Sequence, residues 1–208
     1  DETVYRLLAD ITLKPENCEL LSPIGDHSST PFYDIFDGQG HTIHNLILLE
    51  KNTHLSYSGL FGHLDTRGII KNLHLKKAFT TKSSACKYQG GIASNNNGTI
   101  MNCSVSGSTL YSLEDGNIGA ICSMSSGLII NCQSDNNEIH VAARANGGGI
   151  VGSAEKYVLN CYSYNNKFST NGSGYRAGGI VGISIGSSTL YIENCYTYYN
   201  YTTSNWGS

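Results

Sequence analysis

Gly148-Gly149-Ile150-Val151-Gly152, with Asn160-Cys161 eight residues further on, decides the fold because the chain repeats it. The same frame reads Gly119-Ala120-Ile121-Cys122 with Asn131-Cys132, and before that Gly90-Gly91-Ile92-Ala93 with Asn102-Cys103. Downstream it reads Gly178-Gly179-Ile180-Val181-Gly182 with Asn194-Cys195. Ile92, Ile121, Ile150 and Ile180 therefore lie 29, 29 and 30 residues apart, and Cys103, Cys132 and Cys161 lie 29 apart. A fixed period of this length marks one supersecondary unit copied along the chain. Leucine takes the cysteine's place in two further copies, Asn72-Leu73 after Gly59-Leu60-Phe61-Gly62, and Asn45-Leu46.

Each unit parses into three short extended segments separated by turns. In one copy they are 149–152, 157–164 and 167–170, with Asn165-Asn166 and Asn171-Gly172-Ser173-Gly174 as corners. Three strands and three corners per turn is the arithmetic of a parallel β-helix, in which no coil buries its apolar face alone. The expected fold is thus all-β, a single-domain, right-handed parallel β-helix of about six coils. Each coil advances about 4.8 Å, so the core is a rod on the order of 30 Å long. Stacking places Ile92, Ile121, Ile150 and Ile180 in one internal column and Cys103, Cys132, Cys161 and Cys195 in another.

The asparagines before the cysteines are expected at a bend, with side-chain amides bonded to copies above and below or to backbone. Glycines beside the isoleucines supply either positive φ or close backbone approach. Residues 1–35 form capping strands and the first coil, opened by one strand over 4–13 that Pro15 and Asn17 end; residues 36–208 carry the repeats as one continuous body. Asp37-Gly38 marks a tight turn between two extended runs. An amphipathic helix period is absent, and the insertion Glu50–Tyr57 is the place left for a short helix.

Phe36-Asp37-Gly38-Gln39-Gly40-His41-Thr42-Ile43, then Gly59-Leu60-Phe61-Gly62 and Ile70-Lys71-Asn72-Leu73, resemble the GLUG-motif repeats of bacterial surface proteins. That family includes adhesin-like proteins and the amino-terminal region of IgA-cleaving metallopeptidases. Leu8–Leu13 resembles the family's usual opening, while Asp34 stands where relatives tend to have glycine between the two phenylalanines. The resemblance implies a secreted or cell-surface location and a solenoid fold. It does not supply a catalytic site, because no H-E-x-x-H occurs for the zinc of the metallopeptidase relatives.

Of the 208 residues only 14% are charged and 24 are glycine, which excludes a charged disordered tail or a coiled coil. A formal charge of −3 with no basic cluster gives no electrostatic case for nucleic acid. No run approaches the roughly 20 apolar residues of a membrane-spanning helix. Residues 1–10 lack the regions of a signal peptide, and Asn205-Trp206-Gly207-Ser208 falls inside repeat-like sequence, which predicts a piece of a longer protein.

Chemistry-bearing patterns are sparse. Gly147-Gly148-Gly149-Ile150-Val151-Gly152 matches the phosphate-cradling G-x-G-x-x-G, but no helix is expected after it. His41 and His44 are expected on opposite faces of a strand, with His41 packed beside the Asp37-Gly38 turn. Seven cysteines, about one per repeat, read as buried free thiols packing as small hydrophobes, and Cys18 and Cys86 fall outside the column as candidates for exposure. On that view Cys161→Ser costs a few kcal/mol, through a hydroxyl without partners in an apolar column. Candidate acids for glycan cleavage are Asp135 with Glu138, Glu114-Asp115, and Asp34, Asp37 and Asp65, all in turn-like sequence. No cofactor or metal is expected. The sequons at Asn97, Asn102, Asn171 and Asn200 are expected to be unused in a bacterial product.

Strand parity carries the most information about function. With each cysteine pointing in, the next residue and the one two further on point out. Down the rod these are His74 and Lys76, Ser104 and Ser106, Gln133 and Asp135, Tyr162 and Tyr164, and Tyr196 and Tyr198. Four tyrosines, Tyr162, Tyr164, Tyr196 and Tyr198, thus form a block on one face near Tyr199 and Tyr201, a candidate binding surface for a glycan or a host or matrix protein. The sequence reads as a spacer and adhesive module without catalysis. Its rivals are an enzyme acting on polysaccharide along its outer groove and a unit that self-associates end to end.

Overall fold

Asparagine sets the corners. Asn72, Asn102, Asn131, Asn160 and Asn194 all adopt left-handed backbone, with φ of 51–54°. Asparagine tolerates that region better than most residues with a β-carbon. In a computed structural model, which describes residues 2–18, 21–48, 57–80, 86–170 and 172–204, these corners bend a chain of short parallel strands into stacked coils. The molecule is a parallel β-helix.

Two seven-stranded sheets meet at the asparagine corner. Sheet A stacks Val4–Arg6, Ile35–Asp37, Ile69–Lys71, Thr99–Met101, Leu128–Ile130, Tyr157–Leu159 and Tyr191–Glu193. Sheet B stacks Ile11–Thr12, Thr42–His44, His74–Lys76, Ser104–Ser106, Gln133–Asp135, Tyr162–Tyr164 and Tyr196–Tyr198. Sheet C is five strands, from Phe61–Leu64 to Val181–Ser184. The remaining wall comprises eight strands joined through the long strand Thr109–Gly119.

One winding accordingly divides more finely than the expected three segments. Residues 157–164 break at Asn160 into two strands, and Asn146–Gly148 is a strand before Val151–Ala154, so a coil holds five. The opening segment also splits, with Val4–Arg6 in sheet A and Ile11–Thr12 in sheet B, so the sheets run unbroken from the cap into the repeats. Pro15–Cys18 forms one helical turn where only a breaker was expected. The proposed short helix at Glu50–Tyr57 lies outside the described residues, apart from Tyr57, which is in a strand.

Ile92, Ile121 and Ile150 are fully buried and Ile180 is 9% exposed. Ile92, Ile121 and Ile150 each donate their N–H to the next isoleucine's carbonyl at 3.0 Å, and Ile180 ends the column. The glycines beside them do not take positive φ. They allow close approach instead: a β-carbon on Gly91 would collide with the Ala120 carbonyl, and one on Gly149 with the Gly179 carbonyl and the Ser163 side chain.

Cys103, Cys132 and Cys161 are buried in one file above Leu73, and Cys195 ends it half-buried. Asn45-Leu46 does not belong to this file. Thr42 pairs with His74, which puts Asn45 level with Lys77 at the following corner. That corner repeats positive φ at Asn45, Lys77, Gly107, Asn136, Asn165 and Tyr199. The slot below Leu73 is instead held by His41. Among the described residues no disulfide forms, and Cys18 and Cys86, whose exposure the sequence leaves open, are fully buried. Cys18 explains itself: its thiol lies 3.7 Å from the Asn45 carbonyl and accepts the Ile47 N–H at 3.4 Å, closing the core under the cap.

Two asparagine ladders hold the corners. At the first, Asn72 donates to Asp37 Oδ1 at 3.0 Å, Asn102 to Asn72 and Asn131 to Asn102 at 3.1 Å, and Asn194 to Asn160 at 3.2 Å. At the second, Asn137 and Asn166 are buried. Asn166 Oδ1 accepts both the Asn137 N–H and its Nδ2 at 2.9 Å, and Asn200 Oδ1 accepts the Asn166 N–H at 2.8 Å. Buried amides are tolerated here because each is satisfied by its copy in the neighbouring coil.

Candidate functional site

The backbone fixes where the tyrosines go. Sheet B pairs Ser104 with Gln133, Gln133 with Tyr162, and Tyr162 with Tyr196, and in parallel Ser106 with Asp135, Asp135 with Tyr164, and Tyr164 with Tyr198. Between the outward columns Val105, Ser134 and Ser163 are buried, as alternation requires. Tyr162, Tyr164, Tyr196 and Tyr198 are therefore brought together, on one face of two successive coils.

Their rings line an open groove of about 320 Å³ with Ser163 at its floor. Tyr196 is 70% exposed and Tyr198 59%. The Tyr164 and Tyr198 centroids are 6.0 Å apart, those of Tyr162 and Tyr164 6.5 Å, and Tyr199 packs on Tyr198 at 4.3 Å. The Tyr162 hydroxyl donates to Gln133 Oε1 at 2.7 Å, and Gln133 Nε2 donates to Asp135 Oδ1 at 2.8 Å. The negative charge of Asp135, followed by burial and the Tyr162 phenol, raises the Tyr164 phenol above its ordinary value. The groove therefore offers flat apolar ring faces with phenol hydroxyls at their edges.

A second pair escaped the parity argument because only positions after the cysteine were read. Tyr157 and Tyr191 stack at 5.4 Å on sheet A, across the Asn160 and Asn194 corner from the groove. Each stands three residues before its asparagine, so the same alternation applied upstream finds them.

The acids do not converge. Asp135 accepts from Gln133 and Asn136, while Glu138 pairs with Lys167 at 3.3 Å on the next wall. Asp115 binds Arg144 through both oxygens at 2.7 and 3.2 Å. Asp37 holds Asn72, the Gln39 N–H and Lys71, and Asp65 caps the Arg67 N–H. Asp34 is buried, accepting from the Thr3 N–H at 3.0 Å. These are corner and ion-pair roles.

His41 pairs with Asp10 at 3.1 Å. The bond from the Thr42 N–H, then that from His41, holds the Asp10 carboxyl below the usual range. Among the described residues no group of three or more His, Cys, Asp or Glu is placed to hold a metal. The thiol file does not substitute for one: the hydrogen bond with Cys132, more than burial, pushes Cys161 up to about 12, and burial raises Cys132 well above the ordinary thiol value. These thiols stay protonated near neutral pH, whereas metals take the thiolate. The G-x-G-x-x-G stretch is two strands, Asn146–Gly148 and Val151–Ala154, without the helix a phosphate cradle needs.

Among the described residues no helix is long and apolar enough to cross a membrane. Asn97 is exposed, Asn102 and Asn200 sit in the corner ladders, and Asn171 is outside the described residues.

Fold and surface together define a parallel β-solenoid with an aromatic outer face. Over 95% of its length the chain is similar to a candidate immunoglobulin A1 protease of Bacteroides ovatus, with a TM-score of 0.66 and 20% identity, covering 69% of that chain. It is also 36% identical over 77 residues to halomucin of Haloquadratum walsbyi, a match spanning 37% of this chain and 1% of that protein. No protein-family model matches the chain, so the GLUG resemblance rests on the quoted residues.

Proposed function

We propose that this is an extracellular β-helix module, a rigid spacer whose tyrosine face binds glycan. One observation carries the reading: four in-register tyrosines, two of them more than half exposed, flank a groove on a sheet whose inward face does not need them. Aromatic faces stack on the apolar faces of sugar rings, while phenol hydroxyls bond their edges. Likeness to a candidate protease of an immunoglobulin and to a halomucin fits a location outside the cell. Separate partners for Asp34, Asp37, Asp65, Asp115, Asp135 and Glu138 speak against the polysaccharide-cleaving alternative.

The test is a glycan array with the intact chain and with Tyr162→Ala/Tyr196→Ala. The double variant is expected to fold, to keep its melting temperature within a few degrees, and to lose at least tenfold in affinity for whichever glycan binds. Equal binding by the variant ends the reading, and binding to matrix protein alone moves it to a protein ligand. End-to-end association has one observation of its own. Ile192, in register with buried Val158, is 48% exposed at the last coil. A monomer by light scattering at high concentration would end that second reading.

A further inference from the structure

The groove spans two coils that stack along the rod axis. In register with Tyr162 and Tyr164 lie Gln133 and Asp135, and beyond those Ser104 and Ser106. One coil advances about 4.8 Å, comparable with the length a pyranose occupies in an extended glycan. Successive coils thus present successive sugars with one platform each, first a ring face at Tyr196, then one at Tyr162, then the Gln133 amide.

Asp135 stands beside that track. Its Oδ1 accepts from Gln133 Nε2 at 2.8 Å and its Oδ2 from Asn136 Nδ2 at 2.7 Å, so both oxygens are held in place. Through Gln133 it also orders the Tyr162 hydroxyl. Its neighbours on the outer face of sheet B over these three coils are Gln133 and the four tyrosines, none of them cationic. The nearest lysine in the same column is Lys76, two coils away, or about 10 Å. A sugar carboxylate or sulfate over Gln133 would meet a fixed like charge beside apolar rings, where solvent screens it less than in bulk water.

Resting on the glycan reading, we propose that the bound chain lies along the rod axis over Tyr196, Tyr162 and Gln133, and that Asp135 restricts it to uncharged sugars. Asp135 is a specificity residue here, and the tyrosines supply the affinity.

The experiment compares a matched pair of probes, a β-1,4-linked glucose hexamer and the same hexamer oxidised at C6 to the uronate, by titration calorimetry on the intact chain. The neutral hexamer is expected to bind about tenfold tighter, and 1 M salt to narrow the gap. Asp135→Ser, which copies the residue Ser106 in the same column, should bring the two within about twofold, the ratio being the readout because releasing Gln133 also changes the neutral affinity. A melting curve confirms that this variant folds. Should both hexamers bind through the tyrosines but equally, or should Asp135→Ser leave the ratio unaltered, the restriction is overturned and the tyrosine face survives. A neutral monomer or dimer that binds as tightly as the hexamer overturns the axial track. If no neutral oligosaccharide binds, the glycan reading itself fails and takes this proposal with it.

Discussion

Sheet B can be compared with itself. From Thr42–His44 to Tyr196–Tyr198 its strands keep one register, and its inward slots hold Ile43, Leu75, Val105, Ser134, Ser163 and Thr197. Outward, the early coils show Thr42, His44, His74, Lys76, Ser104 and Ser106, and the last two show four tyrosines. The backbone is the same at both ends. The inward slots change too, from aliphatic Ile43, Leu75 and Val105 to Ser134, Ser163 and Thr197, while the change from polar to aromatic falls on the solvent side of the sheet.

The strongest way to break that contrast is to show that the interior is tolerant too. Gly149→Ala places a β-carbon against the Gly179 carbonyl and 2.9 Å from Ser163 Cβ, and neither can yield without moving a strand. We expect a loss of about 3 kcal/mol or failure to fold, read by denaturant unfolding. A change under about 0.5 kcal/mol would mean that the glycines do not set the coil spacing.

Asn166→Ala comes next. It removes the acceptor of the Asn137 N–H and Nδ2, together with its own bonds to the Ser134 carbonyl and Ser163 Oγ. Asn137 Nδ2 keeps the Val105 carbonyl and Ser134 Oγ, but leaving the buried Asn137 N–H unsatisfied and the Ser134 carbonyl without the Asn166 amide should cost about 2–3 kcal/mol. The equivalent early position is Ser108, whose Oγ bonds the Ala78 N–H at 3.0 Å. Asn166→Ser should therefore recover part of the loss.

These cases show which parts were readable beforehand. The 29-residue spacing dictated stacking, and alternation from the cysteine slot placed the outward residues of sheet B from His74 to Tyr198, because both follow from backbone periodicity alone. Asn45-Leu46 was misplaced because Asn-Leu recurs at two different corners with the same left-handed backbone, and only strand register tells them apart. The five-strand coil was missed although a bend was expected at the asparagines before the cysteines, because Asn160 turns the chain inside one extended run with no glycine or proline to divide it. The burial of Cys18 and Cys86 depends on what the cap and the neighbouring wall cover, which no local pattern encodes.

The thiol file sharpens the comparison at lower amplitude. The sequence expectation was a few kcal/mol for Cys161→Ser, on the premise of a hydroxyl without partners. The structure supplies partners: Cys161 Sγ lies 3.2 Å from the Leu159 carbonyl and 3.9 Å from that of Ile129. A serine hydroxyl inherits the nearer acceptor, so the cost falls to about 1 kcal/mol, mainly from lost packing and transfer. Cys161→Ala, keeping neither bond nor volume, should cost as much or more in the same melts.

The smallest effect lies at the border between the polar and aromatic halves, where Asp135 and Tyr164 are register partners. The carboxylate disfavours phenolate, so the Tyr164 phenol ionises above its ordinary value. A raised folded-state value means that the neutral phenol is favoured on folding. The stability it contributes is present below the ordinary phenol range, about pH 10, and is lost as pH rises through the folded value. Asp135→Asn removes the leading cause and should move Tyr164 back toward the ordinary value, with less alkaline loss of stability. Near-ultraviolet titration of wild type against the variant, with Tyr164→Phe to assign the signal, reads this directly. An unchanged Tyr164 titration would separate the two halves electrically and leave Asp135 without influence on anything lying in the groove.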